Sequence, residues 1–137
     1  MKKNYTLLVV MALIFSWSSG VDAQENNNWI APASSNNMKN PFSGNKTATA
    51  EGKSIYNQMC VLCHGATGKG NGAAGLTLAK KPANFLGLKV RSQTDGNIYW
   101  KITTGKAPMA AYEELLTDDQ RWKLVNYIRE LEINKKK

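Results

Sequence analysis

The strongest hydrophobic pattern lies near the C-terminus. Trp122, Val125, Ile128 and Leu131 recur at helical spacing, with Leu124 and Tyr127 beside them. Thr117 and Gln120 form a capping box ahead of this run, and Asp118 and Asp119 suit the positive end of a helix. The pattern predicts a last helix that frays into Lys135-Lys136-Lys137. A first helix is predicted over Ala50 to Met59, carrying Ile55 and Tyr56. Another is predicted from Asp95, as N-cap, to about Thr104, with Gly105 as its stop. No good run alternates apolar and polar residues as a half-buried strand does, so the ordered part reads as all-α.

The ends of the chain follow other rules. Lys2 and Lys3 precede an apolar run from Leu7 to Trp17, broken by Ser18, Ser19 and Gly20. That run is shorter than the roughly 18 residues a membrane span needs. Val21-Asp22-Ala23 is a small-residue cleavage site, so residues 1–23 read as a signal peptide and the mature chain is expected to begin at Gln24 without a transmembrane span. The expected location is the periplasm or the outer face of the cytoplasmic membrane. Residues 24–46 are rich in Asn and read as an arm or linker, which Trp29 and Phe42 could pin to the domain; a disordered tether is the competing reading. One domain, residues 47–134, and a basic tail, 135–137, complete the chain.

The formal net charge is +8. Lys69, Lys80, Lys81, Lys89, Arg91, Lys101 and Lys106 face only Asp95 in that stretch, and Glu113, Glu114, Asp118 and Asp119 follow. Such asymmetry suits an acidic protein partner; a solvated surface is the alternative. No nucleic-acid reader motif accompanies the charge.

The chemistry is concentrated in Cys60-Val61-Leu62-Cys63-His64. These are the chain's two cysteines and its one histidine. Cys-x-x-Cys-His is the spacing of covalent haem attachment: i, i+3 and i+4 share a helix face, so two thiols reach one porphyrin edge and the imidazole reaches the iron. The competing readings are a thiol-redox pair, a soft-metal site or a simple disulfide. A zinc site lacks its second ligand pair, and a thioredoxin motif lacks its βαβ setting. Gly65, Gly68, Gly70, Gly72 and Gly75 follow; without the full phosphate-loop pattern they predict a turn-rich loop with positive φ. For the sixth iron position Met109 is the favoured ligand. Met1 and Met11 leave with the signal peptide, Met59 adjoins Cys60, and Met38 lies in the arm. A core-filling role for Met109 is the alternative.

Taken together, residues 47–134 resemble a class I, monohaem bacterial cytochrome c. The carriers are Gly52 and Tyr56, the Cys60–Gly65 motif, Gly68-Lys69-Gly70-Asn71-Gly72, Pro82-Ala83-Asn84, Asp95-Gly96, Thr104-Gly105, Pro108-Met109 and Trp122 to Arg129. One departure is that Pro108 precedes Met109, where related chains often carry Pro after it. The resemblance implies an all-α cytochrome c fold wrapped around one covalent haem c, with first and last helices crossing through Gly52, Tyr56, Leu124 and Tyr127. It implies thioethers at Cys60 and Cys63, axial ligands His64 and Met109, and a Pro82 carbonyl accepting from His64. Arg91, Tyr99 and Trp100 become candidates for propionate contacts. The implied role is electron transfer between redox partners rather than catalysis, as a carrier or as the haem subunit of an oxidoreductase. A five-coordinate haem sensor or enzyme is the remaining alternative.

Overall fold

The computed structural model describes residues 29–134. The expected signal peptide, residues 24–28 of the arm and the 135–137 tail lie outside the described residues. Five α-helices are present there: α1 (Lys46–Met59), α2 (Val61–His64), α3 (Leu88–Arg91), α4 (Asp95–Thr104) and α5 (Asp118–Asn134). Short 3-10 turns occupy Ala33–Asn37 and Gly75–Thr77. Among the described residues extended pairing is limited to one isolated bridge, Lys106 with Met109. The fold is all-α, as the patterning predicts.

The caps explain the boundaries. α1 begins four residues before Ala50 because the Asn45 side chain accepts from the Ala48 amide at 3.0 Å, satisfying an orphan donor of the first turn. α4 is capped by Thr94, whose hydroxyl accepts from the Asn97 amide at 3.2 Å, so Asp95 is its first helical residue rather than its cap. Gly105 ends that helix at φ +59°. Ahead of α5 the capping box forms in both directions: the Thr117 amide donates to Gln120 Oε1 at 2.9 Å and the Gln120 amide to Thr117 Oγ1 at 3.3 Å.

α1 packs on α5, and both Gly52 and Tyr56 are at the contact. A Cβ on Gly52 would lie 2.5 Å from the Lys123 carbonyl carbon and 3.2 Å from the Leu124 amide, so the two backbones touch where only hydrogen fits. Tyr56 is fully enclosed and meets Tyr127 edge-on at 5.1 Å. Ile98, Tyr99 and Ile102 of α4 close the core against Trp122, Val125 and Ile128, with Tyr99 stacked on Trp122 at 4.0 Å.

Residues 29–45 run as a strap over α4 and α5. Ser35 is buried, donates to Asn97 Oδ1, and presses its carbonyl against Gly96. Asn40 donates to Asn126 Oδ1 at 2.7 Å, and Asn126 donates in turn to the Phe42 carbonyl. Trp29 lies against Trp100 with centroids 6.4 Å apart, and Phe42 packs on the core. In this segment the Asn40 side chain acts as a hydrogen-bonded tie and the Asn45 side chain as a helix cap.

Candidate haem-attachment site

α1 delivers the chain directly into the motif. After Met59 the backbone turns at Cys60, and the amides of Cys63 and His64 both return to the Cys60 carbonyl, at 3.2 and 2.9 Å. The glycine loop then wraps this turn: Gly70, Gly72 and Ala74 donate to the carbonyls of His64, Cys63 and Leu62. Gly65, Gly68 and Gly70 have φ between +71° and +79°, as a turn-rich loop requires. At Gly72 a Cβ would fall 2.6 Å from the Val61 oxygen, so glycine is what allows the loop to close on α2. Tyr56 reaches the same loop, its hydroxyl donating to the Gly65 carbonyl at 2.6 Å.

Cys60 and Cys63 are half-buried, unpaired thiols. Burial, with a lesser effect of Cys63, pushes the Cys60 thiol up to about 12. Thiol exchange needs the thiolate, so the surroundings of Cys60 do not favour it. Among the described residues no three His, Cys, Asp or Glu side chains gather into a metal-binding cluster, which removes the basis for a zinc site there.

His64 is oriented from two sides. Its ring stacks on Phe85, with centroids 4.6 Å apart and planes 20° apart, and its Nδ1 faces the Ala83 carbonyl at 3.4 Å. A carbonyl only accepts, so Nδ1 carries the proton and Nε2 keeps its lone pair for a metal. Burial, partly opposed by the Ala83 carbonyl, holds the imidazole below its ordinary range and keeps it neutral. The carbonyl is Ala83's and not that of Pro82. The Pro82 carbonyl is taken up by the close approach of Gly70, whose Cβ position lies 3.2 Å from the Pro82 carbonyl carbon.

Met109 sits in the loop between α4 and α5, beyond a cis Ala107–Pro108 peptide. It exchanges two backbone hydrogen bonds with Lys106, at 3.1 and 2.9 Å. Its half-buried side chain packs against the core cluster that Cys60, Val61 and Tyr112 also contact. Met38 lies instead against Gly96 of α4, and Met59 is two-fifths exposed. The three other residues singled out from sequence do not join this group. The Tyr99 hydroxyl donates to Asp118 and accepts from Arg121, Trp100 faces Trp29, and Arg91 is exposed. Packing of α4 on α5 turns Tyr99 into the core, and the strap occupies Trp100.

The Cys60 thiol and the Met109 thioether thus border one apolar cluster, and the neutral His64 imidazole, with a free Nε2, stacks on Phe85 of the same cluster. This donor set fits a covalently held haem. Sequence reasoning missed Phe85, Ala83 and Tyr112, whose hydroxyl donates to the Met59 carbonyl at 3.2 Å. Each works through a partner distant along the chain, so local patterning carries no sign of it.

Residues 47–128 match the family described as Cytochrome C oxidase, cbb3-type, subunit III. Among solved structures, a chain of the Kuenenia stuttgartiensis reducing HAO-like protein complex is similar, with 29% identity and a TM-score of 0.56. The similarity covers 63% of this chain and 44% of that one, so the chain spans less than half of the protein it resembles. Among curated proteins none matches the sequence. The chain belongs to the cbb3-type cytochrome c oxidase subunit III family: it is a c-type cytochrome, an electron carrier with covalently bound haem c.

Proposed function

We propose that Cys60 and Cys63 form the haem thioethers, that His64 and Met109 are the axial ligands, and that the exported chain passes single electrons between redox proteins of a respiratory or related chain. The observation that carries this reading is the packing of Met109 against the apolar cluster that also takes Cys60. Haem c, when bound, supplies a one-electron iron couple. The protein's own groups do the rest. The Ala83 carbonyl and the Phe85 ring hold the His64 imidazole in one tautomer and one orientation. The Met109 sulfur is a soft donor that favours reduced iron and so raises the potential. Held by His64 and Met109 together, the haem would supply electron transfer and would offer no site to oxygen or substrate. Export follows from the leader, and no helix among the described residues is long and apolar enough to cross a membrane.

The partner is an acidic protein, recruited by the basic stretch from Lys69 to Lys106; its electron-transfer rate then falls as ionic strength rises. An unchanged rate would remove that part. A second reading, the haem subunit of a periplasmic oxidoreductase, is favoured by the likeness to a chain of the HAO-like complex. A monomeric purified protein supports the free carrier, and a stable co-purifying large subunit supports the second reading.

Optical spectra of the haem-loaded protein test the ligand set. The oxidised protein should show the weak far-red sulfur-to-iron band, and Met109→Ala should abolish it and lower the potential. Covalent haem without that band, and indifferent to Met109→Ala, would overturn the ligation and favour a five-coordinate haem sensor or enzyme.

A further inference from the structure

We propose that Arg121 is a positioning residue for the sixth ligand: from inside α5 its guanidinium clamps the loop that carries Met109 and so sets how firmly that methionine stays on the iron. The inference rests on the ligation proposed above.

The observation is a buried cation serving one loop. Arg121 is 5% exposed. Its Nη1 donates to the carbonyls of Glu113 at 2.9 Å, Leu116 at 2.8 Å and Tyr112 at 3.4 Å. Its Nη2 donates to the Tyr99 hydroxyl at 3.1 Å and to Asp118. Only Nε lacks a partner. Asp118 is 76% exposed, so the carbonyls, the phenol and the Tyr99 ring, 5.3 Å from the guanidinium carbon, make up much of the charge's surroundings. Burying a charge is costly, and a well-packed apolar residue is often equal or better for stability alone. The donor geometry is what an apolar residue cannot supply: Nη1 takes the loop carbonyls while Nη2, on the other arm of the planar fork, holds Tyr99 and Asp118, a two-sided grip that the single nitrogen of a lysine ammonium cannot match.

Those carbonyls begin three residues beyond Met109. Tyr112 is the node. Its amide donates to the Ile102 and Thr103 carbonyls at the end of α4, both at 3.1 Å, and its hydroxyl reaches the Met59 carbonyl beside Cys60. The loop is thereby tied to α4 through Tyr112, to the haem-attachment turn through Tyr112, and to α5 through Arg121. Releasing the last tie leaves the C-terminal side of the Met109 loop held through Tyr112 alone, with the Glu113–Leu116 carbonyls no longer anchored to α5.

The test compares haem-loaded wild type, Arg121→Met and Arg121→Lys. The readouts are the far-red band, the midpoint potential, and the rate at which cyanide displaces the sixth ligand in the oxidised protein. Arg121→Met should keep covalent haem and helical circular dichroism. It should lose far-red band intensity, shift the potential downward and exchange about tenfold faster or more, since at least one hydrogen bond to the loop is lost. Arg121→Lys, with charge but no fork, should fall between the two. A variant that melts earlier but keeps wild-type band, potential and exchange rate overturns the proposal, and shows a merely structural arginine. If Arg121→Met does not fold, a folded Arg121→Lys with wild-type exchange overturns it equally. Absence of the band from the wild type overturns the Met109 assignment, and this proposal with it.

Discussion

Replacing Gly52 by alanine tests whether helix packing or helix propensity governs α1. Gly52 lies in the interior of a 14-residue helix, where alanine is normally better by about 1 kcal/mol. Propensity alone therefore predicts a more stable protein. The structure predicts the opposite. The new Cβ would sit 2.5 Å from the Lys123 carbonyl carbon and nearer still to its oxygen, and ordinary contact begins at 3.4 Å, so the two backbones must part by more than about 0.9 Å. The obstacle is the backbone of a buried helix and cannot swing aside as a flexible side chain could. Overpacking costs about 1–3 kcal/mol, and a rigid obstacle places the cost near the top of that range. After the propensity gain the net loss is about 2 kcal/mol. For a domain of this size that is a fall in Tm of about 8–16 °C. Thermal melts of the haem-loaded protein, followed by circular dichroism, measure it. Gly44→Ala is the matched control: a Cβ there meets nothing within 4 Å, and only the φ of +75° opposes it, at about 1–2 kcal/mol. An unchanged or higher Tm for Gly52→Ala would refute the close crossing of α1 and α5.

Two further substitutions probe the strap and the site's support. Asn126→Leu strands the Asn40 amide and the Phe42 carbonyl, at a cost of about 2–3 kcal/mol; it should speed proteolytic cutting within residues 36–45 while leaving the haem spectrum intact, and unchanged cleavage would disprove the tie. Tyr56→Phe removes the bond to Gly65 and should cost about 1–2 kcal/mol at neutral pH. Burial above all, then Cys60 and Tyr127, holds the Tyr56 phenol well above its ordinary range. Its contribution is therefore complete below about pH 10 and is lost as the pH rises past that value, because the unfolded chain ionises first. Urea unfolding across that window should show a shallower decline for Tyr56→Phe, and identical slopes would contradict the buried phenol.

What was legible in the sequence was local. The α5 stripe, its capping box, the Gly105 stop and the positive-φ glycines each follow from residues within a few positions of one another. Distant pairs were not legible. The Asn-rich segment reads as a linker by composition, yet Asn40 finds its partner 86 residues away and Ser35 finds Asn97 62 residues away. As one Asn among several, Asn45 carries no local sign that it caps α1, which therefore starts at Lys46 and not at Ala50. The resemblance implies the Pro82 carbonyl, whereas the carbonyl that faces His64 depends on where Gly70 packs and is that of Ala83. Arg121 left one usable trace. It falls three, four and seven residues before Leu124, Val125 and Ile128, so helical spacing alone puts a charge on the buried face.

That placement links the two sides of the site. Cys60 and His64 extend from the end of α1, and the position of α1 is set by the Gly52 contact at Lys123 of α5. Met109 hangs in a loop held at Arg121, two residues earlier on the same helix. The first two turns of α5 are thus the common reference for both proposed axial ligands. Trp122, Leu124 and Val125, each 8% exposed or less, fix those turns in the core. A site suspended from one rigid element can change charge by one electron with little movement of its ligands. This is the physical property that separates an electron carrier from a haem protein that must open to bind.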